Sequence, residues 1–136
     1  MYPKELTDPM RKELTALGMK ELKTKAEAEK ALKLSGTTLV VINSVCGCSA
    51  GSARPAVGIA LEHTKKPKHL YTAFAGVDKD ATDAVREHIT EYPPSSPSIA
   101  LFKDGKLVFF LQRSDIQGRH PQEIAKDLME AFDEMC

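Results

Sequence analysis

The sequence predicts an α/β fold, a mixed sheet with helices on both faces. Three observations carry this. Thr37–Asn43 (TTLVVIN) is β-branched and almost wholly apolar, the pattern of a central strand buried on both sides. Asp104-Gly105 sits between two short apolar runs, a strong hairpin signal. Stretches of helical periodicity alternate with the strands, and such an order packs helices against a sheet. At 136 residues the chain has the usual size of one domain, and residues 1–136 are expected to form one. A chain of this length hides roughly two thirds of its unfolded surface, enough for a real core.

Each element has a local reason. Asp8 followed by Pro9 reads as an N-cap and first-turn proline, opening a helix to about Leu17, where Gly18 stops it. The segment Met19–Lys23 leaves room for a short strand. Thr24 and Glu27 fit a capping box, starting a second helix toward Leu34. The strand Thr37–Asn43 is broken by Val45–Gly51, after which Ala56, Ile59, Ala60 and His63 recur at helical spacing. Pro55 lies early in that helix, marking its first turn or kinking it. Leu70–Phe74 is a short strand and Asp80–Ile89 a further helix. Ser98–Phe102 and Lys106–Leu111 flank the Asp104-Gly105 turn. Pro121–Met135 closes the chain as an amphipathic helix, with Ile124, Leu128, Met129 and Phe132 on one face. Strand–helix–strand, then a hairpin and a last helix, is the thioredoxin-like arrangement.

Composition narrows the function. Lysine plus arginine and aspartate plus glutamate both number 19, so the basic footprint selected by nucleic acid or anionic lipid is missing, and neither is an expected partner. MYPKELTDPMRKELT has no apolar h-region and is not expected to act as a secretory signal. Leu39–Ile42 and Leu107–Leu111 are too short to span a bilayer. A cytoplasmic location is the resulting expectation. Three cysteines are too few, and of the wrong parity, for a secreted disulfide framework. A close cysteine pair in a reducing compartment is catalytic or metal-binding more often than structural.

Cys46-Gly47-Cys48 lies between the buried strand and the following helix. A thiolate is the reactive form of cysteine, and a helix N-terminus favours negative charge. Gly47 lets the chain turn tightly between the two thiols. Cys46 is therefore expected to be more acidic than a free thiol, with Cys48 less exposed and less acidic. A one-residue spacer closes a small disulfide ring that cannot easily reach the preferred dihedral, which favours an oxidising or isomerising tendency. Metal binding by the two thiolates is the main competing reading, but a zinc site wants four ligands and only Cys136 remains as a further thiol. No metal and no cofactor are expected. Ser96-Pro97, directly before a late strand, is the place for a cis bond in a tight loop that shields the cysteines and leaves a backbone edge for substrate.

The segments VINSVCGCSAGSARPA, FAGVDKDAT and YPPSSPSIALFKDGKLV resemble the bacilliredoxin family, thioredoxin-like proteins with a Cys-Gly-Cys motif. The likeness runs from Asp8-Pro9-Met10-Arg11 to the terminal AFDEMC. It implies a thioredoxin fold and reduction of mixed disulfides between proteins and bacillithiol, a low-molecular-weight thiol. It also implies that Cys46 attacks and Cys48 resolves, with Gly47, Ser96 and Pro97 along the substrate groove. Bacillithiolated proteins and the small thiol would be the partners. Two features depart from thioredoxin itself: no tryptophan precedes the pair, and TTLVVIN carries no buried acid to deprotonate the resolving thiol. Water, Ser44 or Ser49 would have to take that proton.

Other residues have plainer readings. Cys136 reads as a loose terminal thiol, with a third redox partner as the alternative. Arg54 is expected to be a solvated side chain, although one turned back to the loop would acidify Cys46. His63, His69, His88 and His120 show no ligand spacing and read as surface or capping residues. Lys65-Lys66-Pro67-Lys68 is a solvated loop. Besides mixed-disulfide reduction, the pattern leaves open a broad disulfide isomerase, a metal-binding module, and a binding protein with inert thiols.

Overall fold

The computed structural model describes residues 2–136. Among them the chain forms α1 (Lys4–Thr15), β1 (Lys20–Glu21), α2 (Lys25–Ala31), β2 (Thr37–Asn43), α3 (Arg54–Ala60), β3 (His69–Phe74), α4 (Lys79–Glu87), β4 (Ser98–Lys103), β5 (Lys106–Leu111), α5 (Arg113–Ile116) and α6 (Pro121–Met135). The strands make one mixed sheet in the order β1-β3-β2-β4-β5. β1 and β2 run parallel to β3, while β2–β4 and β4–β5 are antiparallel.

β2 is central, and every one of its residues is buried. Its alternation sorts the core into two layers. Leu39 and Val41 face α3 and α6, where Val57, Ile124, Leu128 and Phe132 pack with Leu14 of α1. Val40 and Ile42 face α2 and α4, among Ala28, Ala81, Val85 and Phe102. Burying each of these larger aliphatic side chains contributes roughly 1.5–3 kcal/mol, so both faces of β2 stabilise the sheet.

The expected elements at 37–43 and 121–135 stand at their expected bounds. The Thr24–Glu27 capping box forms in both directions, although α2 ends at Ala31 and not near Leu34. In the β4–β5 hairpin Asp104 and Gly105 both take positive φ, 51° and 83°. The Asp104 carboxylate accepts the Gly36 N–H at 2.7 Å. Any Cβ at Gly105 would meet the Leu32 carbonyl at 3.0 Å, so glycine is required there.

α1 differs from expectation. It starts at Lys4 after Pro3, so Asp8-Pro9 lies inside the helix instead of opening it. Pro9 leaves the Glu5 carbonyl without its helical donor. Both residues are exposed, so water can reach that carbonyl. Arg11 holds the helix down, bonding the Asp78 carboxylate at 2.9 and 3.0 Å and the Glu21 carboxylate at 2.7 Å, with its guanidinium 5.2 Å from the Phe74 ring centre.

α5 was not expected. It is one turn long and is capped by Gln112, whose amide donates to the Asp115 carboxylate at 3.0 Å.

Candidate redox site

The site grows from the C-terminal end of β2. After Asn43 the chain crosses Ser44-Val45 and becomes helical at Gly47. This falls inside the stretch expected to be a break. The Cys46 carbonyl accepts the amides of Ser49 at 2.9 Å and Ala50 at 3.4 Å, so Cys46 heads the helical run. That run passes through a π-helical turn, Ser49–Ala53, into α3. Pro55, next to that turn, has no N–H and its ring would crowd the Gly51 carbonyl one turn back. The wider π-turn accommodates it, and such insertions are frequent at functional sites.

The sulfurs of Cys46 and Cys48 lie 2.6 Å apart, and both cysteines are free and half-buried. Their acidities diverge. Cys46 is pushed below the usual thiol value, first by the hydrogen bond from the Cys48 thiol, then by the Cys48 amide, the positive charge of Arg113 and the Ser49 amide. Cys48 is pushed up, first by desolvation, then by donating to Cys46 and by that sulfur's charge. Arg113 opposes this rise. One thiol is thus the more acidic of the two, and the other, beside it, holds its proton to higher pH.

Arg113 is an exposed residue at the start of α5, remote in sequence from the cysteines. Sequence reasoning missed it. The Gln112–Asp115 cap was the available signal for the helix turn, but nothing local indicated its neighbour.

Arg54 corrects the expectation of a solvated side chain. It is 3% exposed and turns back beneath the loop. Nη1 donates to Asn43 Oδ1 at 2.9 Å, to the Ser44 carbonyl at 3.0 Å and to Ser49 Oγ at 3.0 Å. Nε lies 3.1 Å from the half-exposed Glu13 carboxylate, outside hydrogen-bond geometry. The Nη1 bonds all go to Asn43, Ser44 and Ser49, so Arg54 serves the loop's architecture. Asn43 is the hub of that architecture. Its Oδ1 also accepts the Ser44 amide at 2.9 Å and the Ser49 hydroxyl at 3.1 Å, and its Nδ2 donates to the Met10 carbonyl of α1 at 3.2 Å. The Ser49 hydroxyl proton is thus committed to Asn43. Ser44 Oγ accepts the Cys46 amide at 3.1 Å, which leaves its own proton free to donate.

The Ser96–Pro97 bond is cis. Ser98 pairs with Ile42 at the last rung of the β2–β4 ladder, so Pro97 and Asn43 leave the sheet at the same end. Pro97 is buried, Ser96 half-buried and Gly47 exposed. Arg113 is tied to the loop before the cis-proline, its backbone N–H donating to Ser95 Oγ at 3.3 Å.

The remaining candidates lie apart. Cys136 is exposed. His63 faces Asp133 at 2.8 Å, His69 the Ser35 carbonyl at 3.1 Å and His88 Glu29 at 3.1 Å, while His120 caps α6. Among the described residues no three His, Cys, Asp or Glu side chains gather as metal ligands, and no helix is long and apolar enough to cross a membrane.

Among solved structures, a chain described as carrying a thioredoxin fold superposes with a TM-score of 0.66 at 18% identity, covering 87% of this chain and 96% of that one. The fold is thus of the thioredoxin type, and the class, the thiol–disulfide oxidoreductases, follows from the family and relatives that match. A family model described as disulphide isomerase matches residues 2–136. A bacilliredoxin of Cytophaga hutchinsonii is 53% identical over 99% of this chain and all of that one. One of Halalkalibacterium halodurans is 51% identical over 99% of this chain and 94% of that one. The chain belongs to the bacilliredoxin family.

Proposed function

We propose that this protein reduces mixed disulfides between proteins and a low-molecular-weight thiol, bacillithiol, in the cytoplasm, with Cys46 attacking and Cys48 resolving. The observation that carries this is the pairing of an acidified thiol with a raised one at 2.6 Å. The Cys46 thiolate attacks the small thiol's sulfur in the mixed disulfide. The old S–S bond breaks, and the protein substrate leaves as a thiolate and takes a proton. Cys48 then loses its proton and attacks Cys46 Sγ. The small thiol is expelled and the Cys46–Cys48 disulfide forms. The substrate has gained two electrons and the pair has lost two, so a further thiol must reset it. Solvent takes the proton of Cys48, which is only half-buried. Gly47, Ser96 and Pro97 form the edge along which the substrate lies.

Intact mass spectrometry tests the order of attack. Mixed with a bacillithiolated protein, the Cys48→Ala variant accumulates a small-thiol adduct on Cys46, and the Cys46→Ala variant stays almost unmodified. An adduct on Cys48 in the Cys46→Ala variant, formed at the wild-type rate, would refute the mechanism. The matching family's description favours a second reading, disulfide isomerisation. Under that reading a scrambled multi-disulfide protein would be repaired faster than a mixed disulfide is reduced.

A further inference from the structure

A second feature lies beside the redox loop. A pocket of about 100 Å³ opens between α4, the start of β4 and the loop before the cis-proline, lined by Ile42, Arg86, Tyr92, Ser95, Ser98 and Phe110. That leaves room for a small terminal group. Ser98 is 1% exposed, yet its Oγ has no hydrogen-bond partner. Arg86 Nε is buried and equally unpartnered. The guanidinium makes one bond, from Nη2 to the Ser95 carbonyl at 3.2 Å. Among the described residues Arg86 forms no ion pair, and Asp83, three residues earlier, pairs with Lys79 instead. Desolvation lowers the Arg86 pKa against the attraction of Asp83.

A half-buried guanidinium with idle donors, next to an idle buried hydroxyl, is an incomplete arrangement. Guanidinium donors form a planar fork that suits a carboxylate, and such charge-assisted pairs are strong. The Tyr92 and Phe110 rings, 4.8 Å apart, provide an apolar wall that strengthens the interaction. The pocket opens at the end of the sheet from which the chain runs on to Cys46. Its floor residues Ile42 and Ser98 form the last rung of the ladder below Cys46 and Pro97. Ser95 touches both arginines, through its carbonyl to Arg86 and its hydroxyl to the amide of Arg113.

We infer that this pocket is a carboxylate subsite, in which Arg86 and Ser98 hold an acid group of the small thiol while its sulfur reacts at Cys46. The inference rests on the mixed-disulfide reading above and extends it to what distinguishes one small thiol from another. The same chemistry could be supplied by an acidic side chain of the protein substrate, and the test separates the two.

Three peptide disulfides serve as probes: a neutral peptide linked to mercaptopropionate, the same peptide linked to mercaptopropionamide, and a peptide with glutamate beside its cysteine linked to mercaptopropionamide. Wild type is expected to reduce the first with kcat/KM about ten- to hundredfold above the second, the range for one charge-assisted hydrogen-bonded contact. Arg86→Gln should bring that ratio close to one, and Ser98→Ala should lower it several-fold. Equal rates in wild type overturn the inference. So does an Arg86→Gln variant that slows both adducts alike, since the arginine would then merely brace Ser95. Preference for the glutamate peptide over the first probe gives the pocket to the protein substrate and overturns the assignment to the small thiol. If neither adduct is reduced, the mixed-disulfide reading fails, and a titration with succinate decides the pocket separately. The Arg86 Nε–H signal should shift on succinate addition in wild type and much less in Ser98→Ala. An unmoved signal overturns the subsite.

Discussion

Cys46 and Cys48 carry the same side chain two positions apart, and their surroundings give them different acidities. Cys46 receives hydrogen bonds and faces a cation, while Cys48 donates its proton and is desolvated. Alkylation rate follows the thiolate fraction, so Cys46 should react at a pH below the free-thiol value of about 8.5 and Cys48 only above it. A pH series read by peptide mass spectrometry checks this, and Cys48 reacting first would reverse the roles. Because the Cys48 thiol is the largest cause of the Cys46 shift, Cys48→Ala should raise the Cys46 pKa toward the ordinary value. The trapping variant should therefore attack several-fold more slowly than wild type at pH 7, and the gap should close as the pH is raised. Arg113→Gln should move Cys46 in the same direction by less, and adding salt to wild type should mimic it, because an exposed charge is screened.

At the scale of elements, the junction of β2 with its helix depends on Asn43, 1% exposed and holding four groups around its amide. Asn43→Ala leaves a buried guanidinium and a hydroxyl short of their acceptor, and should destabilise the protein by about 2–4 kcal/mol. Urea midpoints at unchanged slope would show it, and a loss under about 0.5 kcal/mol would mean the hub is dispensable. Elements written in local patterns were legible in the sequence. β2, the Asp104-Gly105 hairpin, the Thr24 cap and α6 each announce themselves within a few residues. The cis Ser96–Pro97 bond was legible from its place before a late strand only together with the cysteine pair, since the position alone suits an ordinary trans turn proline. Asp8-Pro9 misled because a true N-cap and an interior proline share the same dipeptide, and Arg11, bound to Asp78 and Glu21, fixes the helix by distant contacts. Arg54 misled for a related reason. Its partner Asn43 sits on another element, and an arginine in a helix reads as solvated until that partner is known. Arg86 and Ser98 gave no local sign at all, since their shared pocket exists only once α4 and β4 are side by side.

At the scale of the whole molecule, the sheet is covered on one face by α3 and α6 and on the other by α2 and α4. α1 adds Leu14 to the first layer and ties itself to the redox loop through the Met10 carbonyl. The strongest clasp on α1 is Arg11, whose side chain is 13% exposed, against Asp78 at 8%. The Asp78 carboxylate also accepts the Phe74 amide at 3.2 Å, so the pair joins α1 to the end of β3. Removing one member of a buried pair costs about 3–5 kcal/mol, largely because the other charge is stranded, and the partial exposure here places Arg11→Ala near 3 kcal/mol. If a stranded Asp78 is the cause, adding Asp78→Asn to Arg11→Ala should restore part of the loss, since the amide oxygen can still accept from Phe74 and carries no charge. The double variant should then unfold at a higher urea concentration than Arg11→Ala alone. If it unfolds at the concentration expected from adding the two single losses, the clasp is two independent contacts and not a charge pair. The Met10–Asn43 bond makes the same variants a probe of the site. A loosened α1 should raise hydrogen exchange at the Ser44 and Cys46 amides before it changes exchange in the β4–β5 hairpin.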